Sequence, residues 1–480
     1  MIRRLPVALA SLLFACAPSV AAPRKPREAA APTVVVAEAP PVPSPPRKSL
    51  APLPVHAMSL GDGSESCAIV ASVLAVSSPP LAVPGGRAPA SVLAVSSPPL
   101  AVASVPGSAG DARVVCWGGR PRPATAWNTT GPLPPRAPHE IALPFASPPI
   151  AVTVGRSHRC ALLENGKVAC WTELAPVAEL VPFPQGSSVV SISAGDEFTC
   201  ALLVGGAVTC WGANDEGQLG LGNTVATTRP SQNVPLGGPA VALSSGLGSS
   251  CAIVDRTGGR VVVCWGRNNN GALGLGDARN RGDAPVPKTG LAAVDLGPMG
   301  PGAQPIAVTV AGHACVLFED GAVKCWGWNR FGQLGLGDGK NRGDAPKQLG
   351  AALPAVPLGG KAVAIAAAIT HSCAILADGA VKCWGWNREG ALGLGDTSPR
   401  GFSKFGQPAP VELTAVDLGG PAIAVAVGTE RSCALLDSNV LKCWGANRDG
   451  ELGLGDTENR GDKPGQMGTA LPAVDLGSSQ

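Results

Sequence analysis

Ser372-Cys-Ala-Ile-Leu-Ala-Asp-Gly-Ala-Val-Lys-Cys-Trp-Gly385 decides the fold of this chain, because segments of the same form recur seven times along its 480 residues. Each copy carries two cysteines around a turn. Such self-similarity marks a repeat architecture, in which every unit buries its apolar surface against a neighbour. The pairs are Cys67 with Cys116, Cys160 with Cys170, Cys200 with Cys210, Cys251 with Cys264, Cys315 with Cys325, Cys373 with Cys383, and Cys433 with Cys443. Between the cysteines of the quoted copy, Ala377-Asp378-Gly379 suits a three-residue hairpin loop, a type I turn followed by glycine in the left-handed region. Leu376 then faces Ala380, and Cys373 falls opposite Cys383. Five of the seven pairs keep this ten-residue separation, so cross-strand disulfides are the economical expectation, each short loop closed being worth roughly 2–4 kcal/mol. Fourteen buried thiols are the alternative; zinc is disfavoured, since no Cys-x-x-Cys spacing occurs and the chain has five histidines.

Trp117, Trp171, Trp211, Trp265, Trp326, Trp384 and Trp444 each follow the second cysteine, so they point to the opposite face of the strand and read as packing between units. Working outward, Val416 to Gly455 divides into four short apolar elements ended by Gly, Asp or Asn, followed by a long loop, Gly445 to Asp456. Short β-rich runs at spacings of about ten residues are the all-β signal, and four strands per unit is a propeller blade. The expected fold is therefore a seven-bladed β-propeller of four-stranded blades. The Val416-Asp-Leu-Gly419 element returns at the C-terminus as Val474-Asp-Leu-Gly477, with no hairpin after it. That predicts ring closure by the C-terminal strand joining the first blade, whose hairpin unit spans Pro54 to Gly118.

The recurring Cys-Ala-Leu-Leu…Gly-x-Val-x-Cys-Trp-Gly-x-Asn-x-x-Gly-x-Leu-Gly-Leu-Gly-Asp pattern closely resembles the repeats of the regulator of chromosome condensation family, most strongly from Cys200 onward. The resemblance implies a seven-bladed propeller. It does not carry over the founder's nucleotide exchange on a nuclear GTPase, because this chain looks exported.

That impression comes from the N-terminus. Met-Ile-Arg-Arg precedes an apolar run from Leu5 to Ala15, which fits a secretory signal and is too short to span a bilayer. Leu13-Phe-Ala-Cys16 resembles a lipoprotein cleavage box, with Cys16 as the lipidated first residue; an ordinary signal cleaved nearby is the alternative. Residues 1–15 thus read as signal peptide, 16–52 as lipidated cysteine and Pro/Ala-rich tether, and 53–480 as propeller. Within the first blade, Ala71 to Val83 recurs identically at 90–102, a low-complexity insertion over about 71–109. An exported location favours disulfides. With 37 basic and 34 acidic side chains, no basic surface of the kind nucleic acid demands is implied. The only membrane attachment expected is the lipid anchor, at the outer membrane or cell surface.

Few residues suggest chemistry. Loops such as Gly332-Gln-Leu-Gly-Leu-Gly337 lack the order and following helix of a phosphate cradle. His158, His313 and His371 sit two residues before the first cysteine of a hairpin, a place filled elsewhere by Glu65, Phe198, Ser249 and Arg431, which suits packing. No nucleophile, base and orienting acid assemble by repetition. Neither a catalytic residue, a cofactor nor a metal is expected. Arg-Gly-Asp at 281–283, 342–344 and 460–462 reads as a repeated loop salt bridge rather than adhesion, and Asp338 with Asp344 as its acidic members rather than a calcium pair. Trp328 and Trp386 add aromatic surface to two loops and are the candidate partner contact. The resulting expectation is a monomeric, non-enzymatic, envelope-anchored scaffold that engages a protein or envelope polymer. An inhibitor or regulator of a secreted enzyme is the second reading, and an exported lyase or hydrolase, which needs the three histidines to converge, is the third.

Overall fold

Each cysteine hairpin forms the middle of an antiparallel sheet. A computed structural model describes residues 55–61, 65–70, 112–118, 138–143, 146–172, 177–298, 303–402 and 413–477. The expected signal peptide, tether and first-blade insertion, and Cys16 with them, lie outside the described residues. In sheet six, Ala362–Ala367 pairs with His371–Leu376, which pairs with Val381–Gly385, which pairs with Ala415–Val416. The hairpin turn has the expected form: Leu376 N–H donates to Ala380 O at 2.8 Å and Gly379 has φ +82°. Cys373 lies opposite Cys383, and the same register holds for all seven pairs. In each pair the Sγ atoms are bonded, 2.04–2.11 Å apart.

Seven such sheets, of three or four strands, succeed one another along the chain. The first strand of each touches the first strand of the next, and that of sheet seven, Ala422–Val427, touches that of sheet one, Val55–Leu60. The first strands are thus innermost and the sheets have the arrangement of blades. Helix among the described residues is confined to two single turns, Gly350–Ala352 and Gly468–Ala470.

Closure differs from the expectation. Val474 N–H donates to Leu441 O at 2.9 Å, in sheet seven. The C-terminal segment therefore completes the last blade and not the first. The same bond joins Val356 to Val323, Val294 to Val262 and Val234 to Val208. The Val-x-Leu-Gly element ends units three to seven as their outermost strand, as His139–Ile141 and Glu179–Leu180 end units one and two, so Val55–Leu60 already supplies the innermost strand of sheet one.

Polar contacts tie neighbouring blades. At five of the seven junctions the residue two places before the first cysteine meets the residue one place before the first cysteine of the following blade. Nε2 of His158, His313 and His371 lies 2.7, 2.5 and 2.9 Å from the hydroxyls of Thr199, Ser372 and Ser432; Glu65 pairs with Arg159; Arg431 Nε donates to Ser66 at 3.3 Å across the closing junction. Ser372 and Ser432 themselves donate to Gln333 O and Ala391 O. Their oxygens consequently accept from histidine Nε2–H, which assigns that tautomer. The same two carbonyls accept the indole N–H of Trp384 and Trp444 at 2.8 and 2.9 Å. Trp265, Trp326 and, across the closure, Trp117 bond equivalent carbonyls of the preceding blade. All seven repeat tryptophans are buried, as expected of packing between units.

Candidate functional site

The turns after the innermost strands and the ends of the Cys-Trp strands emerge on one face, because His371 pairs with Gly385 while the hairpin tip closes at the other end. The Gly-x-Asn loops belong to this face. In each, the asparagine holds the loop: Asn329 Nδ2 donates to Asp338 O and Lys340 O, and its Oδ1 accepts from Leu334 N–H. Asn214, Asn268, Asn387 and Asn447 repeat the accepting bond. Each asparagine is almost wholly buried.

The side chain before the asparagine is therefore set at a defined place on this face. There the structure brings Trp328 and Trp386 together through a third aromatic residue, Phe331. Its ring lies 5.3 Å from Trp328 at 70° and 4.5 Å from Trp386 at 46°, geometries that aromatic quadrupoles favour. All three are half-buried. The exposed Arg330 guanidinium stands 6.0 Å from the Phe331 centroid. Phe331 was not singled out from sequence. The signal was its place three residues after Trp328 in the loop that reaches toward the next blade.

In the loop that carries Trp386, Glu389 accepts from Arg448 at 2.6 Å and from Asn459 at 2.8 Å. Burial, reinforced by the charges of Glu389 and Glu451, pushes the Glu430 carboxyl above its ordinary range. Glu389 is thus held in a contact between blades six and seven.

The three histidines do not form one site. They stand in sheets two, five and six, each bonded to a hydroxyl of the next sheet. Burial lowers His313 to about 3, with the charge of His371 adding to it, and lowers His371 to about 4. His158 is lowered to about 4 by burial and by Arg159. These are neutral structural imidazoles. Among the described residues no three His, Cys, Asp or Glu side chains are grouped to hold a metal.

The Arg-Gly-Asp loops are internal latches. Arg281, Arg342 and Arg460 bind the aspartate four residues earlier at 2.8, 2.7 and 2.6 Å. Asp344 accepts from Asn341. The backbone packs against the preceding blade closely enough that a Cβ on Gly271 would lie 2.3 Å from Asp344 N. The arginine and the backbone of each motif are thus engaged within the fold.

With this geometry in hand, the relatives are informative. Models described as Regulator of chromosome condensation (RCC1) repeat match residues 189–218, 362–391 and 422–451, and 205–253, 320–375 and 378–435. The chain is 27% identical to Ultraviolet-B receptor UVR8 of Arabidopsis thaliana over 52% of its own length and 63% of the relative's. It is 30% identical to the Secretion-regulating guanine nucleotide exchange factor of Bos taurus over 50% and 48%. The chain thus spans less than two thirds of either relative. The crystal structure of Prp20p from Saccharomyces cerevisiae, described with its binding properties to Gsp1p and histones, superposes with a TM-score of 0.53 at 19% identity, covering 88% of this chain and 87% of that one. Repeat models and sheet order agree that the chain carries regulator of chromosome condensation (RCC1) repeats over residues 189–253 and 320–451, and the superposition shows the same fold.

Proposed function

We propose that the chain is a non-enzymatic binding scaffold, held at the cell envelope by a lipid on Cys16, that engages a protein or envelope polymer through the loop face carrying Trp328, Phe331 and Trp386. The observation that carries this reading is the aromatic cluster itself: three rings at van der Waals spacing, half-exposed, on loops pinned by buried asparagines. Rigid aromatic side chains of this kind supply contact area at low entropic cost. The bonded histidines and latched Arg-Gly-Asp loops support a frame role for those motifs, and the relatives' printed roles, a receptor and an exchange factor, are compatible with regulation through binding. The seven disulfides suit an oxidising compartment.

The test combines two measurements. Metabolic labelling with a palmitate analogue is expected to mark the wild-type chain and not Cys16→Ser. In-cell crosslinking of the tagged chain, read by mass spectrometry, is expected to lose its captured partner in Trp328→Ala/Trp386→Ala. Retention of the same partner by that variant refutes the aromatic face. Capture of one stoichiometric secreted enzyme turns the scaffold into its regulator.

A further inference from the structure

The opposite face carries a second feature. Every innermost strand has one irregularity in its pairing, and it falls at the same place. Between Pro149 and Ala151, Ala240 and Ala242, Pro305 and Ala307, Ala362 and Ala364, and Ala422 and Ala424, one residue is left out of the ladder. In sheet three the skipped residue is Val190, since Leu203 pairs with Val189 and Leu202 with Ser191. A bulge of this type re-aims the extra side chain away from the regular alternation. In sheets two to seven the extra residues are Ile150, Val190, Val241, Ile306, Val363 and Ile423, all β-branched and aliphatic, whereas in sheet one the shift between Val55 and Ala57 leaves out His56. Five of them are 39–49% exposed, and Ile306 is half-buried. Because first strands neighbour one another around the ring, these residues compose an apolar collar about the centre.

The collar has a charged border. Hairpin tips hydrogen-bond the residue two places before the bulged one: Glu164 to Pro148, Asp255 to Pro239, Glu319 to Gln304, Ala377 to Lys361 and Asp437 to Pro421, with the apolar Val204 making the same bond to Ser188 in sheet three. The tips expose Glu164, Asp255, Glu319, Asp378 and Asp437, against Lys167 and Lys361, with Arg260 bound to Asp255. Scattered single aliphatics on a surface are ordinary; six at equivalent places in six successive blades are a repeated apolar feature of the kind that marks an interaction site.

We infer that this hairpin-tip face, the aliphatic collar within its acidic border, docks a polypeptide segment with an apolar centre flanked by lysine or arginine. The aliphatic ring takes the apolar anchor, and the carboxylates at the tips select and steer the basic flanks. This inference rests on the sheets alone and is independent of the aromatic face.

The test uses the full chain and a fluorescent twelve-residue peptide with a Leu-Val-Leu centre and lysine flanks, read by anisotropy. Binding is expected to weaken at least tenfold in Val190→Ser/Val363→Ser/Ile423→Ser, whose sites are exposed, and in Glu164→Gln/Glu319→Gln/Asp437→Asn. It is expected to weaken with salt, to vanish when glutamates replace the peptide's lysines, and to be unchanged in Trp328→Ala/Trp386→Ala, which separates it from the proposed function. Absence of binding, or binding indifferent to the collar variant, overturns the inference. So does a concentration-dependent dimer that the collar variant abolishes, or binding of zwitterionic lipid vesicles in place of the peptide.

Discussion

Acid should loosen this ring through two buried histidines before the latch aspartates Asp277, Asp338 and Asp396 are protonated. His313 and His371 are wholly buried, each donating Nε2–H to a serine of the next blade. Among the described residues neither Nδ1 has a hydrogen-bond partner. Protonation would place a second N–H, with its charge, in apolar surroundings. Their folded values are depressed to about 3 and about 4, from 6.5 in the unfolded chain, so the unfolded state takes up protons first. The stability they confer is complete above pH 6.5 and is lost as pH falls from there through 4. Each contributes up to about 1.4 kcal/mol per pH unit in that window, so passing from pH 6.5 to 4.5 costs about 2–3 kcal/mol per histidine and roughly 5 kcal/mol for the pair. That is a large part of the stability of an ordinary domain.

His158, lowered to about 4 by burial and Arg159, adds to the loss in the same window, and the remaining shifted groups act outside it or against it. Asp277 is held low by its hydrogen bond from Arg281, against burial. Burial raises Asp338 and Asp396, yet Arg342 and Arg400 with neighbouring backbone N–H groups keep both below the ordinary value; their stability is present above about pH 3.8 and is lost only below it. Glu216 and Glu430, raised chiefly by burial, gain from protonation and oppose the loss. The histidine contribution is therefore the difference between wild type and His313→Gln/His371→Gln, whose amides can still donate to the serines. Denaturant titrations followed by tryptophan fluorescence at pH 7.5, 6.5, 5.5 and 4.5 should give a steeper acid slope for wild type, by about two protons. Equal slopes would refute the assignment of these imidazoles as neutral and buried.

Three further outcomes are expected. Trp326→Phe removes the indole N–H that satisfies Ala272 O at 3.0 Å between blades, and should destabilise by about 1–3 kcal/mol in chemical denaturation. Gly271→Ala sets a side chain at φ +75° and a Cβ 2.3 Å from the Asp344 backbone nitrogen; it should lower the melting temperature more than Asp344→Ala does, because the clash lies with main chain. Alkylation under denaturing, non-reducing conditions should leave all fourteen repeat cysteines unmodified, and Cys373→Ser/Cys383→Ser should cost about 2–4 kcal/mol, read from denaturant midpoints.

The hairpins were legible because their register follows from local chemistry: a three-residue turn fixes Leu376 against Ala380, and counting outward on both strands puts cysteine opposite cysteine. The phase of the fourth strand was not. Val-Asp-Leu-Gly is preceded by one loop and followed by another, and nothing local says which sheet it joins; the backbone bond from Val474 to Leu441 decides it. Nor was the role of His158, His313 and His371 legible beyond packing, since the hydroxyls that receive them lie 41, 59 and 61 residues away. Trp328 and Trp386 could be named as exposed aromatics, but the ring that joins them, Phe331, depends on the spacing between blades. The bulged residues were hidden for a different reason. In Ala422-Ile-Ala-Val-Ala-Val427 the alternation looks unbroken, and one skipped residue in the ladder moves Ile423 from core to surface.

Closure without a shared strand raises the question of what secures the seam. At five junctions a hydroxyl on one innermost strand accepts from a backbone N–H of the next: Ser59 from Val154, Thr153 from Ala194, Ser193 from Ser245, Ser244 from Val310, and Thr309 from Ala367. The equivalent positions in sheets six and seven are Ala366 and Ala426, which have no hydroxyl to offer. The two junctions around blade seven, the last to be synthesised, thus lack the bond that the others share. Other groups take its place. Thr370 donates to Thr429 O between blades six and seven, and Lys442, with burial lowering its ammonium, donates to Leu418 O and Gly468 O. Between blades seven and one, the buried Arg431 reaches Gly61 O, Glu65 O and Ser66, beside the Trp117 bond to Glu451 O that this junction shares with others. The seam is therefore held by long side chains to carbonyls, contacts that form only once the first and last blades are already in place, whereas the other junctions form between blades adjacent in sequence. An arginine left without those carbonyls would be costly to bury, so the contacts of Arg431 tie blade seven to blade one.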